Sequence, residues 1–138
     1  MRPSPAAAQD VPCLRHLDTL EAAARMMRDT GARVLPVTQD GKFVGTISDR
    51  DIVIRMVAEG LDGWLTRVRD FMTAPALCCR ADDDPESILL AMVDGKLDTI
   101  PLLDAHDRVV GMATAEQIRR AHSVFADEIG SHINVIAA

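Results

Sequence analysis

Residues 33–51 read RVLPVTQDGKFVGTISDRD, and residues 98–117 follow the same plan as DTIPLLDAHDRVVGMATAEQ. Each stretch runs from an apolar segment with a proline, through a polar turn, to a second apolar segment with a glycine. Each then closes on a hydroxyl residue with a charged or polar residue three positions later, and the second copy carries one extra residue. A long unit that occurs twice predicts two half-domains that close a core against each other, with a pseudo-twofold pair of clefts between them.

Each copy begins upstream of these stretches with a short strand and a helix. The strands are predicted around residues 13–16 and 77–80. An N-cap signal and apolar residues at helical spacing follow in both copies, which is typical of a helix with one buried face. Gly31 and Gly95 stand where these two helices are predicted to end.

A hairpin and a second helix complete each copy. The hairpin strands are predicted over residues 33–37 and 43–47, and over 98–103 and 109–113. Pro36 and Pro101 cannot donate to a ladder, so we expect each at the edge or end of a strand. The closing helices are predicted over 49–59, stopping at Gly60, and from about 115 towards 129. The predicted fold class is therefore α+β, with two β-α-β-β-α repeats packed with pseudo-twofold symmetry.

The composition limits the class of protein. With three Phe, one Trp and no Tyr, the core must be aliphatic, and a net charge of −6 argues against binding nucleic-acid phosphates. No apolar run approaches the roughly 18–20 residues that span a bilayer. Three cysteines, Cys13, Cys78 and Cys79, are too few and too odd in number for a disulfide framework. We therefore predict a cytoplasmic protein with no nucleic-acid or membrane partner, in which these cysteines are small strand residues.

The predicted organisation has three parts. Residues 1–10 form a flexible N-terminal arm, residues 11–71 the first repeat and linker, and residues 72–138 the second repeat with a C-terminal helix and tail. The arm has no sustained apolar stretch, which distinguishes it from a signal peptide. The sequence assigns no role to the tail.

The best candidate site is the point where the hairpin of the first copy runs into its closing helix. Ser48 and Asp51 have the spacing of a capping box, in which a hydroxyl and a side chain three residues on satisfy free backbone N–H groups. Thr114 and Gln117 form the same pattern in the second copy. Capping alone therefore explains much of this motif.

A difference between the copies favours an additional role in the first. The second copy places Glu116 in the first turn of its helix, where a negative side chain is stabilising, whereas the first copy places Arg50 there. The first copy also has Asp51 where the second has the better box residue. A guanidinium beside a hydroxyl at a helix N-terminus suits a phosphate, and a carboxylate one turn inside suits the hydroxyls of a ribose.

The repeat, with GTISDRDI at residues 45–52 and the linker phrase VRDFMT at residues 68–73, resembles a tandem pair of cystathionine β-synthase (CBS) domains, a Bateman module. It is similar to the stand-alone bacterial members from about residue 11 to residue 121. The resemblance implies a regulatory module that binds AMP, ADP, ATP or S-adenosylmethionine in clefts between the repeats. It also implies a flat homodimer that forms through the helices.

The resemblance also implies residue roles. In the family motif the hydroxyl binds phosphate and the aspartate binds ribose, and Gly45, Ser48 and Asp51 match it, with Arg50 beside them. The family's adenine pocket is lined by the segment before the proline, here Arg33, Val34 and Leu35. The second copy departs from the motif at Gln117, and Glu116 would repel a phosphate, so Thr114 and Gln117 form a degraded second site. One nucleotide site per chain is the expectation.

The predicted function is a non-enzymatic sensor of an adenosine-containing ligand for a regulated protein that the sequence does not identify. AMP, ADP or ATP is favoured over cationic S-adenosylmethionine, because Ser48, Arg50 and Asp51 suit a phosphorylated ribose. An enzyme is disfavoured, because the sequence has no nucleophile–base pair, no metal-ligand spacing and no phosphate-binding loop of the Walker type. The alternative is a ligand-free interaction or scaffold module that forms a homodimer.

Overall fold

Two three-stranded sheets, one in each repeat, form the framework in the computed structural model, which describes residues 11–121. The first sheet contains β1 (Leu14–Arg15), β2 (Val34–Gln39) and β3 (Lys42–Ser48), and the second contains β4 (Cys79–Arg80), β5 (Thr99–Leu103) and β6 (Val109–Thr114). In each sheet the short first strand is parallel to the middle strand, which is antiparallel to the third. The predicted α+β class is confirmed.

Four helical segments accompany the sheets in the described part of the chain. They are α1 (Leu20–Thr30), α2 (Asp49–Asp51, continued by a π-helix over Ile52–Val57), α3 (Pro85–Gly95) and α4 (residues 115–121). A 3₁₀ turn, Val68–Asp70, lies in the linker. Within residues 11–121 no helix has the length and apolar character needed to cross a membrane. The predicted continuation of α4 and the predicted N-terminal arm fall outside the described residues.

The prediction of an α-helix over residues 49–59 was wrong in its type and its end. Only the first turn is α-helical, and the π-helix ends at Val57. The Ala58 N–H donates to the Val53 carbonyl at 3.1 Å, five residues back. The β-branched residues of this segment lose side-chain freedom in an α-helix, so its intrinsic α-helical preference is weak.

The ends of α1 and α3 differ from each other. Gly31 ends α1 in the left-handed conformation, with φ 77°, as predicted. Gly95 is the last residue of α3, as predicted, and Lys96 takes the left-handed position after it, with φ 57°. A Cβ at position 95 would meet the Leu77 side chain, so this glycine serves packing. The left-handed position therefore falls to a glycine after α1 and to a lysine after α3.

Most of the buried apolar residues form two aliphatic clusters instead of the single shared core predicted from the sequence. The larger cluster, in the first repeat, contains Leu14, Leu20, Ala23, Met27, Leu35, Val37, Ile47, Ile52 and Val68. The smaller, in the second repeat, contains Ile88, Met92, Ile100 and Ala113. Since Val68 belongs to the linker, the linker packs as part of the first repeat.

Pro36 lies inside β2 but at a point where no strand pairs with β2 on the β1 side, so the prediction that it stands at a strand edge is confirmed. It is paired with Thr46 of β3, and both backbone groups of Thr46 are bonded to Thr73 on the opposite side, at 3.1 and 2.7 Å. This pair therefore needs no N–H from the proline. Strand β1 reaches only Val37 and Thr38, which leaves the start of β2 without a strand on that side.

Candidate functional site

A cavity of about 410 Å³ lies between the two repeats. The first repeat contributes Pro12, residues 31–36 and Asp49, and the second contributes Asp98, Thr99, Met112 and Thr114. The strand starts that lack a neighbouring strand therefore face this space. Its volume lies in the range of small-molecule sites, roughly 300–1,000 Å³.

The cavity combines an apolar wall with a polar rim. Leu35 and Pro36 are buried, Val34 is half-buried, and Met112 contributes from the second repeat. The polar residues of the lining are Thr99 and Thr114, and its charged residues are Arg33, Asp49 and Asp98. An apolar wall with a few polar groups around it suits a flat ring that carries a polar substituent.

Two elements of the first repeat are joined at the rim. The Asp49 N–H donates to the Arg33 carbonyl at 2.9 Å, and the Arg33 Nε lies 3.5 Å from the Asp49 carboxylate. Because these side chains are 82% and 49% exposed, the ion pair contributes little to stability. The second repeat repeats the backbone bond, from the Ala115 N–H to the Asp98 carbonyl at 3.0 Å.

Capping boxes are present at both helix starts. The Asp51 N–H donates to the Ser48 Oγ and the Ser48 N–H donates to the Asp51 carboxylate, both at 3.0 Å. Thr114 and Gln117 exchange the same bonds at 3.0 and 3.2 Å. Since the two boxes close equally well, Asp51 caps its helix as well as Gln117 does, and the prediction that it is a locally inferior box residue was wrong. The Ser48 hydroxyl is an acceptor in its box and keeps its proton for donation.

Gly45 packs against the linker. A Cβ at this position would lie 2.6 Å from the Thr73 carbonyl oxygen and 2.9 Å from the Met72 sulfur. At the equivalent Gly111 of the second repeat, the nearest atom, on Leu102, would be 3.7 Å away, an ordinary contact. The geometry therefore gives Gly45 a packing role that Gly111 does not share.

The structure brings some of the predicted site residues together and leaves others apart. Those in the cavity lining are Arg33, Val34, Leu35 and Thr114. Those outside it are Gly45, Ser48, Arg50, Asp51 and Gln117. Ligand contacts of the second group remain predictions. Thr114, assigned to a separate second site, lies in the same cavity as the residues assigned to the first.

Sequence reasoning missed eight of the twelve lining residues, among them Asp49, Asp98, Thr99 and Met112. The repeat carried a signal for two of them. Asp98 and Thr99 occupy the positions equivalent to Arg33 and Val34, so a pseudo-twofold cavity would include both pairs. Composition and spacing carried no comparable signal for Met112.

The three cysteine thiols are weakly reactive. Burial raises the pKa of the Cys13, Cys78 and Cys79 thiols, which keeps them protonated and weakly nucleophilic. Between residues 11 and 121 no group of three or more His, Cys, Asp or Glu side chains is arranged to hold a metal ion.

A model of the CBS domain family matches this chain twice, over residues 6–58 and residues 68–123. Hypoxic response protein 1 of Mycobacterium tuberculosis is 31% identical over 111 residues, which cover 80% of this chain and 77% of that protein. The chain spans much less of two other relatives: 13% of the Meiotically up-regulated gene 70 protein of Schizosaccharomyces pombe and 52% of protein MK0525 of Methanopyrus kandleri. These two are 30% and 28% identical over 94 and 102 residues, or 68% and 73% of this chain.

Solved structures give the same result. Hypoxic Response Protein I with two coordinated zinc ions has a TM-score of 0.74 at 29% identity and covers 80% of this chain and 90% of its own. CBSX2 in complex with AMP has a TM-score of 0.70 at 22% identity, with coverages of 85% and 90%. The cytosolic domain of the Mg²⁺ channel MgtE in complex with ATP has 0.69 at 24%, with coverages of 79% and 44%. The chain therefore belongs to the CBS-domain family, as a tandem pair of CBS domains.

Proposed function

We propose that this chain is a non-enzymatic regulatory module that binds an adenosine-containing ligand in the cavity between its repeats. The observation that carries the proposal is the lining of that cavity. Arg33, Val34 and Leu35, the segment that the family uses for adenine, lie in it together with Thr99 and Thr114 of the other repeat. A ligand bound there would contact both repeats at once.

The ligand class is supported by related structures. CBSX2 was solved with AMP and the MgtE cytosolic domain with ATP, and both share the fold of this chain. The apolar wall around Val34 and Leu35 offers a surface for the base. The hydroxyls of Thr99 and Thr114 offer partners for a ribose or a phosphate. We favour AMP, ADP or ATP over S-adenosylmethionine and place the module in the cytoplasm.

Regulation follows from the position of the cavity. A ligand that contacts both repeats stabilises the arrangement in which those contacts are all made, relative to any other arrangement. The repeats also meet at their hairpins, where the Phe43 N–H donates to the Asp107 carbonyl at 2.9 Å. A partner protein that contacts both repeats would therefore sense whether the cavity is occupied.

We further propose that the module acts as a homodimer. Large apolar side chains are exposed on two helical segments, among them Val53 and Val57 of α2 and Leu90 and Val93 of α3, each at least 55% exposed. The opposite faces of the same helices are buried, through Ile52 in α2 and Met92 in α3. A helix that is apolar on both faces is typical of one that packs against a second molecule.

Thermal unfolding with AMP, ADP, ATP and S-adenosylmethionine tests the ligand. At about 100 times its dissociation constant a ligand adds roughly 2.7 kcal/mol of stability, which raises the melting temperature by several degrees. The variant Val34→Trp, which fills the cavity with a larger side chain, should lose this rise. If none of the four compounds changes the melting temperature of the wild type, the ligand-free interaction module replaces the proposal.

The variant Asp51→Gln tests whether Asp51 binds ligand besides closing its box. Gln117 shows that a glutamine closes the same box, so this change removes the charge and keeps the cap. We expect the melting temperature of the unliganded variant to change little and its affinity for AMP to fall at least fivefold. An unchanged affinity would restrict Asp51 to capping.

A further inference from the structure

The charged side chains of the cavity are mostly acidic. Arg33, Asp49 and Asp98 are the charged residues in its lining, which gives two carboxylates for one guanidinium. The predicted phosphate-binding cation, Arg50, lies outside the lining. The rim therefore carries a net negative charge at neutral pH.

The single cation of the rim already has an acidic neighbour. The Arg33 Nε lies 3.5 Å from the Asp49 carboxylate, so a ligand group farther away experiences little net charge from this pair. Asp98 lies on the other side of the cavity, and its carboxylate contacts the Thr99 hydroxyl at 3.4 Å. Among residues 11–121 no ion pair joins Asp98 to a cation. Asp98 is thus the uncompensated charge of this site.

We propose that Asp98 makes the cavity select adenosine ligands that carry one phosphate or none over those that carry two or three. The inference rests on the proposed function and narrows its ligand class. A base held on the apolar wall leaves its phosphates towards solvent, because burying charged groups is costly, and the solvent-exposed side of the lining is where Arg33, Asp49 and Asp98 lie. Each added phosphate brings about one more negative charge to a rim that is already negative.

The expected selectivity is moderate because the rim is exposed to solvent. Two unit charges about 6 Å apart in water repel enough to weaken binding roughly threefold, and more where the local dielectric constant is lower. ATP, with two more phosphates than AMP, should therefore bind roughly tenfold more weakly than AMP. The effect should decrease with added salt, because exposed charges are screened over roughly 10 Å at 0.1 M.

Calorimetric titration of the full chain with adenosine, AMP, ADP and ATP, in EDTA and without Mg²⁺, tests the proposal. In low salt we expect the affinity to fall roughly tenfold from AMP to ATP. The ratio of these two affinities should decrease at about 0.5 M NaCl. The variant Asp98→Asn should bind ATP at least threefold more tightly than the wild type and bind adenosine with unchanged affinity. The control is Asp94→Asn, which removes an exposed carboxylate of α3 outside the lining. It should change the affinity for neither ATP nor adenosine.

The alternative outcomes separate this inference from the proposed function. If ATP binds the wild type as tightly as AMP, or if the ratio responds neither to salt nor to Asp98→Asn, charge selection is wrong and the proposed function stands. If adenosine and its phosphates all fail to bind, the proposed function itself fails. Because the salt series uses the wild type alone, the test does not depend on the folding of any variant.

Discussion

Gly45 illustrates, at the scale of one residue, how the linker and the first repeat are joined. The linker runs beside β3, and Thr73 exchanges two backbone hydrogen bonds with Thr46 at 2.7 and 3.1 Å. This pairing brings the Thr73 carbonyl oxygen next to the Gly45 Cα. A side chain there could be accommodated only if the linker moved away and the pairing with Thr46 weakened.

We therefore expect Gly45→Ala to destabilise the protein by about 2 kcal/mol, as overpacking against fixed backbone does. The matched control is Gly111→Ala, where the nearest atom would be 3.7 Å away, and its change should stay within about 0.5 kcal/mol. Urea unfolding of both variants measures the difference. Equal losses at the two glycines would contradict the packing role of Gly45.

At the scale of the element, the two long helices end by the same geometry with different residues. Gly31 and Lys96 both adopt positive φ, and both donate their backbone N–H to carbonyls of the last turn. Glycine adopts this conformation without strain, whereas a lysine Cβ lies too close to the neighbouring carbonyl oxygen. The end of α3 is therefore strained in a way that the end of α1 is not.

Replacing Lys96 with glycine should stabilise the protein by about 0.5–1 kcal/mol, because the strain of the left-handed lysine is removed. The reciprocal control, Gly31→Ala, should destabilise it by about 1 kcal/mol. Guanidinium unfolding with a shared slope gives both values. A loss of stability in Lys96→Gly would mean that the lysine side chain makes contacts that outweigh the strain.

The elements also show how far the sequence alone could lead. The hairpin strands were predicted to within two residues, because runs of β-branched residues separated by turn residues are strong local signals. The π-helix was not predicted, since a six-residue segment is too short for its apolar spacing to distinguish a π-helix from an α-helix. The contact of Gly45 with the linker, like the presence of Asp49 at the cavity, depends on where distant segments of the chain meet.

At the scale of the whole molecule, the cavity and the exposed helical faces belong to different parts of the surface. The cavity is lined by the starts of β2 and β5 and the residues around them. The apolar side chains of α2 and α3 lie outside that lining. A ligand and a second copy of the chain could therefore bind at the same time, which a regulatory module that dimerises requires.

We expect the wild-type chain to sediment as a dimer of twice 15.0 kDa and Val57→Glu combined with Val93→Glu to sediment as a monomer. These side chains are 65% and 66% exposed, so a charge there should disturb the fold little but oppose burial against a partner. Leu65→Glu, between α2 and the turn Val68–Asp70 and 77% exposed, is the matched control and should remain a dimer. A monomeric wild type would refute the homodimer. If Leu65→Glu dissociates the dimer while the double variant of the helices remains dimeric, the interface lies around Leu65 instead.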